Sequence, residues 1–285
     1  MRPVYLPHTL LELWSYLEVE PEALIYAGGT DLLVKMRSGK AAAAPALICL
    51  ERLAELRGIR ETAAGIRIGA AAAHTELLRH PLILSCLPVL AQALQTLGSP
   101  LIRNMGTIGG NICTASPAGD TLPPLYILQA EVELHTRDAV RILPIREFIT
   151  GPGKTQLQRG EILTGVVVKK PVGYNIHHFE KVGLRKSMAC AVASMAALLR
   201  LSPSGVIEVA RLAWGSVGPP VVTAAVEDTL IGEKLSRKTL AAAALIIRQI
   251  VAPITDVRAS ADYRRAVSGN LLLRLLDARP QNDEK

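Results

Sequence analysis

Ala27-Gly28-Gly29-Thr30-Asp31 and Gly106-Thr107-Ile108-Gly109-Gly110-Asn111-Ile112 are the stretches on which the reading of this chain turns. The first leaves the apolar run Leu24-Ile25-Tyr26 and enters Leu32-Leu33-Val34-Lys35-Met36. The second is followed by Ser116-Pro117-Ala118-Gly119-Asp120. One glycine pair is a turn. Two pairs, each beside hydroxyl residues, predict two backbone loops that grip a single phosphate-bearing ligand. Glycine lets N–H groups approach an anion with no side chain between, and it adopts positive φ readily.

Taken separately, each segment leaves alternatives. A strand–turn–helix at Gly28-Gly29 offers free N–H groups to a pyrophosphate, but Thr30 or Asp31 serves equally as a helix cap. Asp31 has the wrong charge for phosphate, so capping or ribose binding suits it better. In the second segment Thr107 and Asn111 add side-chain hydrogen bonds to the backbone donors, and Asp120 is an acceptor for ribityl or ribose hydroxyls. The structural alternative has Asn111 closing a turn and Asp120 capping the helix after Pro123-Pro124. Neither segment is G-x-G-x-x-G, so a Rossmann site is not indicated. Gly151-Pro152-Gly153-Lys154-Thr155 imitates a Walker A loop, yet Phe148 stands where its first glycine belongs and no amphipathic helix follows. The basic stretch Phe179 to Lys186 is either a solvated strand end or a place where Lys181 or Arg185 faces a cofactor ring or phosphate.

Composition narrows the class. The chain has 285 residues, 49% hydrophobic and 20% charged, enough for packed cores in one large domain or several small ones. Aromatics are only 4%, which leaves the core to aliphatic and small residues. No run approaches the ~18 apolar residues of a membrane span, and the N-terminus lacks the apolar segment of a secretory signal. A cytoplasmic protein is expected. The net charge of +7 comes from scattered Lys and Arg without interleaved aromatics. That pattern speaks against nucleic acid and for an anionic cofactor or an acidic partner subunit. Cys49, Cys86, Cys113 and Cys190 are isolated, so reduced thiols are expected rather than a zinc or iron–sulfur site. None of the six histidines sits in H-E-x-x-H, and no Ser-His-Asp signature occurs.

Periodicity predicts an αβ rhythm at the start: a helix over 9–17 with Thr9 as cap and Glu12 closing a capping box, a strand over 24–27, a short helix over 31–36 and a buried strand over 47–50. A strand over 65–70, helices over 75–79 and 88–97, a hairpin of 131–135 with 140–143, and a strand over 162–168 come next. Past a boundary near Pro171 to Tyr174, two apolar runs, 188–201 and 206–217, are joined by Ser202-Pro203-Ser204-Gly205 as a hairpin. The tail is helical: Ser236 caps one helix, and Ser260 or Asp262 starts another through Leu276.

These residues together resemble the FAD-binding subunit of the molybdenum hydroxylases, the xanthine dehydrogenase and carbon monoxide dehydrogenase family. The resemblance rests on Ala27 to Leu33, on Ile102 to Ile112 with Ser116-Pro117 and Asp120, and on Lys181 to Arg185, in order along essentially the whole chain. Thr150-Gly151-Pro152-Gly153-Lys154-Thr155 is most similar to the bacterial xanthine dehydrogenase branch. It implies an α+β protein: a two-subdomain FAD-binding domain of the vanillyl-alcohol-oxidase (PCMH) type over 1–55 and 56–172, a C-terminal domain of antiparallel sheet plus helices over 173–279, and a frayed tail over 280–285. It implies separate molybdopterin-binding and iron–sulfur subunits, the latter with [2Fe-2S] clusters, in a heterotrimer or its dimer. Electrons would pass through those clusters to FAD and on to NAD. Carried onto this sequence, Leu24, Ile25, Tyr26, Ala27, Gly28, Gly29, Thr30 and Asp31 would hold the FAD pyrophosphate, with Thr107, Ile108, Gly109, Gly110 and Asn111 continuing the grip. Asp120 would bind the ribityl or phosphate region, Leu163 would pack near adenine or flavin, Lys181 would approach the isoalloxazine, and Ile102 would touch the ring. Pro152 stands where some members have an aromatic, and Leu97 where others have Phe. The alternatives are a stand-alone FAD reductase or oxidase on the same fold, and a catalytically silent partner-binding subunit.

Overall fold

The computed structural model describes residues 2–39, 44–219, 221–223 and 225–278. The tail over 280–285 lies outside them. The architecture is α+β, and the chain packs as two units. The first comprises Met1–Leu82, Ser99–Ser116 and Gln129–Lys169; the second comprises Ile83–Gly98, Pro117–Leu128 and Lys170–Lys285.

The first unit holds two sheets. Strands Val4–Tyr5, Leu47–Cys49 and Leu24–Tyr26 form a small parallel sheet with Leu47–Cys49 in the centre. Helix Leu10–Val19 buries Leu13, Trp14 and Leu17 into a cluster with Ile48, Leu53, Leu56 and Ile162. Thr9 caps it, its hydroxyl accepting from the Glu12 N–H at 3.2 Å. The Glu12 carboxylate takes the His8 N–H at 2.7 Å, so the box closes one residue before the cap. The larger sheet is antiparallel, ordered Ile59–Thr62, Gly65–Gly69, Ile162–Val168, Glu131–His135 and Val140–Pro144. Every residue of its central strand Ile162–Val168 is buried, which matches the near-continuous Val/Ile/Leu character of that run. Gly151 to Thr155 is a small hairpin of Ile149–Gly151 with Lys154–Thr155, not a phosphate loop leading into a helix.

The second unit is an antiparallel sheet of Ile176–Gly183, Ala191–Leu201, Ile207–Gly215 and Val222–Thr223. Residues Ala191 to Leu199 are buried on both faces of the sheet. Side chains alternate along a strand, so both faces need cover. Ala193, Met195, Ala197 and Leu199 join Trp214 in one core with helices Arg237–Ile250 and Ala261–Leu273. The opposite face carries Ser194 and receives Pro123. Helices Pro88–Thr96 and Leu122–Ile127, which precede residue 172 in sequence, therefore pack with this sheet. Ser236 and Ser260 each cap their helices, accepting from the N–H of Thr239 and Tyr263 at 3.2 Å; Ser260, not Asp262, is the second cap. No helix among the described residues is long and apolar enough to cross a membrane.

Candidate functional site

The two glycine segments meet within the first unit. A Cβ on Gly28 would fall inside the Met105 carbonyl, and one on Gly106 would lie 3.4 Å from the Thr30 hydroxyl. The Thr114 hydroxyl donates to the Asp31 carboxylate at 3.2 Å. Gly28 is thus glycine because two backbones touch there, and Gly29 because its φ of 71° is the left-handed region that side chains disfavour. Among the described residues the N–H groups of Gly28, Gly29 and Thr30 have no acceptor.

The second segment differs from the loop expected of it. Ile108–Thr114 is a helix, capped by the Thr107 hydroxyl, which accepts from the Gly110 N–H at 3.1 Å. Its other leading donors are also used: Ile108 N–H goes to Ala72 O, Gly109 N–H to Ala70 O and Asn111 N–H to Thr107 O. Four of the five backbone donors expected of Thr107–Asn111 are thus consumed inside the protein; among the described residues the Thr107 N–H, like those of Gly28, Gly29 and Thr30, has no acceptor. Gly109 serves close packing, since a Cβ there would lie 2.7 Å from that of Ala70. Gly110 is exposed, and a Cβ there would meet only the Thr107 hydroxyl, at 3.0 Å. Neither Thr30 nor Asp31 caps helix Leu32–Arg37 by its side chain; Asp31 pairs with Lys35 at 2.6 Å instead.

Beside this junction lies a pocket that opens to solvent. It is lined by Ile25, Tyr26 and Ala27, by Thr107, Gly109 and Gly110, and by Leu157, Glu161 and Leu163. The lining is overwhelmingly apolar, as suits a flat heteroaromatic ring. Ile102 is not part of it and is 41% exposed on its own helix. Leu24 is a strand residue paired with Leu47. Cys113 also lines the pocket, one turn beyond Gly109 and Gly110; only recognising the helix would have found it, because its i+3/i+4 spacing has no meaning in a loop. Burial pushes its thiol up to about 12, so it is a protonated apolar contact, not a nucleophile. Burial and a hydrogen bond to Cys49 push the Tyr26 hydroxyl up to about 12. His74, whose N–H donates to Gly106 O at 2.9 Å, is held down to about 4 by burial and Arg103, and stays neutral.

In the second unit Asp120 does not cap the helix after it. Its Oδ2 binds Lys181 Nζ at 2.7 Å, and Nζ also donates to the Thr96 carbonyl at 2.7 Å. Both side chains are more than nine-tenths buried. Asp120 Oδ1 is buried with no partner among the described residues. Burial pushes this carboxyl up to about 6 in spite of the Lys181 ammonium. The native pKa exceeds the unfolded value of 3.8, so the native state binds more protons between them. This group's contribution to stability is therefore fullest below the unfolded value and lost as pH rises through about 6. Comparing the pH dependence of Tm for wild type and Asp120→Asn should reveal that component as a difference confined to the window from about 4 to 7; parallel curves would show that Asp120 does not titrate there.

The described residues thus give an α+β unit with an apolar pocket beside a glycine turn, and a second unit built on an antiparallel sheet with helices. Residues 1–171 match the FAD binding domain in molybdopterin dehydrogenase, and residues 178–278 match the CO dehydrogenase flavoprotein C-terminal domain. A putative xanthine dehydrogenase FAD-binding subunit of Escherichia coli strain K12 is 36% identical over 262 residues, 90% of this chain and 88% of that one. The nicotinate dehydrogenase FAD-subunit of Eubacterium barkeri is 32% identical, covering 92% and 90% of the two chains. Among solved structures, a carbon monoxide dehydrogenase from Hydrogenophaga pseudoflava superposes with a TM-score of 0.90 at 30% identity, covering 97% of this chain and 96% of that one. The chain belongs to the FAD-binding medium subunits of the molybdenum hydroxylases.

Proposed function

We propose that this chain carries FAD in a xanthine dehydrogenase-like complex, where it receives electrons from the iron–sulfur clusters of one partner subunit, downstream of a molybdopterin-binding partner, and delivers them to NAD. The observation that supports this most is the junction in the first unit: free N–H donors at Gly28–Thr30, a glycine-lined gap at Gly110 and an apolar pocket bounded by Leu163. These suit a dinucleotide, with diphosphate oxygens on the donors and a ring in the pocket. When bound, FAD supplies the ability to collect single electrons and release them in pairs as hydride.

The protein's own part is to bind and orient. The Gly28–Thr30 turn offers donors without moving, since Gly28 is locked against Met105. The helix Ile108–Thr114 presents Gly110 as a surface without a side chain. The orphan acceptor of Asp120 suits a ribityl hydroxyl. Lys181 spends two of its three ammonium N–H groups on Asp120 and the Thr96 carbonyl, which leaves one for a further acceptor.

Gly110→Val tests the gap. It should abolish FAD retention, read as loss of the flavin spectrum after gel filtration, while Tm falls little, because a side chain there points into open space apart from Thr107. Full occupancy in that variant would remove Gly110 from the site. The electron path has its own test. The flavin-loaded full chain should oxidise NADH with an artificial acceptor and should turn over no small organic substrate alone. Turnover of such a substrate would mark a stand-alone oxidase, and a chain that never takes up flavin would mark a silent subunit.

A further inference from the structure

We infer that Arg141 and Glu161 form a positioning clamp: the pair holds the 156–160 turn, and Leu157 with it, as the outer wall of the nucleotide pocket, and so governs how fast the bound cofactor leaves. The inference rests on the flavin reading above.

Glu161 immediately precedes the central strand Ile162–Val168, while Arg141 lies on the edge strand Val140–Pro144, with Glu131–His135 between them. The guanidinium reaches past that strand and grips the carboxylate with both arms, Nε to Oε1 at 2.6 Å and Nη2 to Oε2 at 2.7 Å. The same Nη2 donates to Gln156 O at 2.5 Å, and Glu161 Oε2 accepts the Gln158 N–H at 2.9 Å. The residues on either side of Leu157 are therefore pinned to one ion pair, and Leu157 itself lines the pocket while 37% exposed. The Glu161 side chain is only 2% exposed. Burial works against its charge, yet the Arg141 and Gln158 donors bring it below the usual carboxylate range.

A buried ion pair is a poor way to add stability, because desolvation offsets the attraction, but its geometry fixes orientation. The planar two-armed contact fixes the turn in a way a lysine cannot. A second tie, Arg159 to Glu22 at 2.7 Å, is about 70% exposed on both sides and contributes little.

The test uses the full chain loaded with FAD and follows release by the recovery of flavin fluorescence, with trypsin cleavage after the exposed Arg159 as an independent readout. Glu161→Gln, Arg141→Met and Leu157→Ala should each release FAD about tenfold faster, the scale expected for losing one apolar wall contact. Arg141→Lys should recover part of the loss, and Glu22→Gln should release at the wild-type rate. Cleavage after Arg159 should accelerate in Glu161→Gln and Arg141→Met even without FAD. Leu157→Ala removes no ion pair and no core residue, so its effect is free of folding defects. If wild type binds FAD but Glu161→Gln and Leu157→Ala release it no faster, or if Glu22→Gln matches Glu161→Gln, the clamp is overturned while the flavin reading stands. If wild type itself takes up no FAD, the flavin reading fails and the clamp's role falls with it.

Discussion

Gly28→Ala is expected to cost this protein its flavin and about 3 kcal/mol or more of stability, the upper range for forcing a methyl group into a packed contact. The obstacle is backbone, not a side chain that can swing away: the added Cβ would occupy the place of the Met105 carbonyl. Relief requires the Ala27–Asp31 turn to lift from the end of helix Pro100–Met105. That lift would displace the Gly28–Thr30 donors from the pocket they border. Urea denaturation and flavin content of the purified variant measure the two consequences. Gly153→Ala is the internal comparison. That position has a φ of 67° but nothing within 4 Å of a built Cβ, so the cost there is backbone strain alone, on the order of 1 kcal/mol. If Gly28→Ala loses no more stability than Gly153→Ala and keeps its flavin, the two glycine segments are not in contact in the way described.

Lys181→Met should be the other severe substitution, with a loss of about 3–5 kcal/mol, because it leaves Asp120 buried without a counter-charge. Asp120 already carries one unpartnered oxygen. Removing the ammonium strands the second, and the carboxyl should then bind a proton well above its present pKa of about 6. The double variant Asp120→Asn/Lys181→Met has no buried charge to leave unpaired, so it should recover much of the loss. The double-mutant cycle in chemical denaturation decides the matter: a coupling near zero would show that the two side chains, 2.7 Å apart here, do not depend on one another. The same variants bear on the cofactor, since flavin loss in the double variant with stability restored would separate a binding role from a structural one.

Much of the local structure was legible because it rests on interactions within a few residues. Thr9, Ser236 and Ser260 cap helices that begin at the next residue. The hairpin across Ser202-Pro203-Ser204-Gly205 joins two strands whose apolar runs are unmistakable. The resemblance carried by the two glycine motifs held over residues 1–171 and 178–278. What misled was the second motif. Gly109-Gly110 reads as a loop by propensity, since glycine disfavours helix, yet it opens a helix because Ala70 and Ala72 accept its leading N–H groups from another part of the chain.

From its own order of residues this chain determined its class, the starts of its side-chain-capped helices at Thr9, Ser236 and Ser260, and seven of the fifteen residues that line the pocket, because capping, alternation and glycine's freedom are short-range properties. Tertiary structure alone decided which glycine serves what. Gly28 is a point of backbone contact, Gly109 a packing site and Gly110 an open surface, a distinction that depends on what approaches each from far away in sequence. It also decided that Asp120 pairs with Lys181, 61 positions later, and that Arg141 crosses a strand to hold Glu161. A buried charge must find its partner wherever folding brings one, and no local pattern announces that meeting.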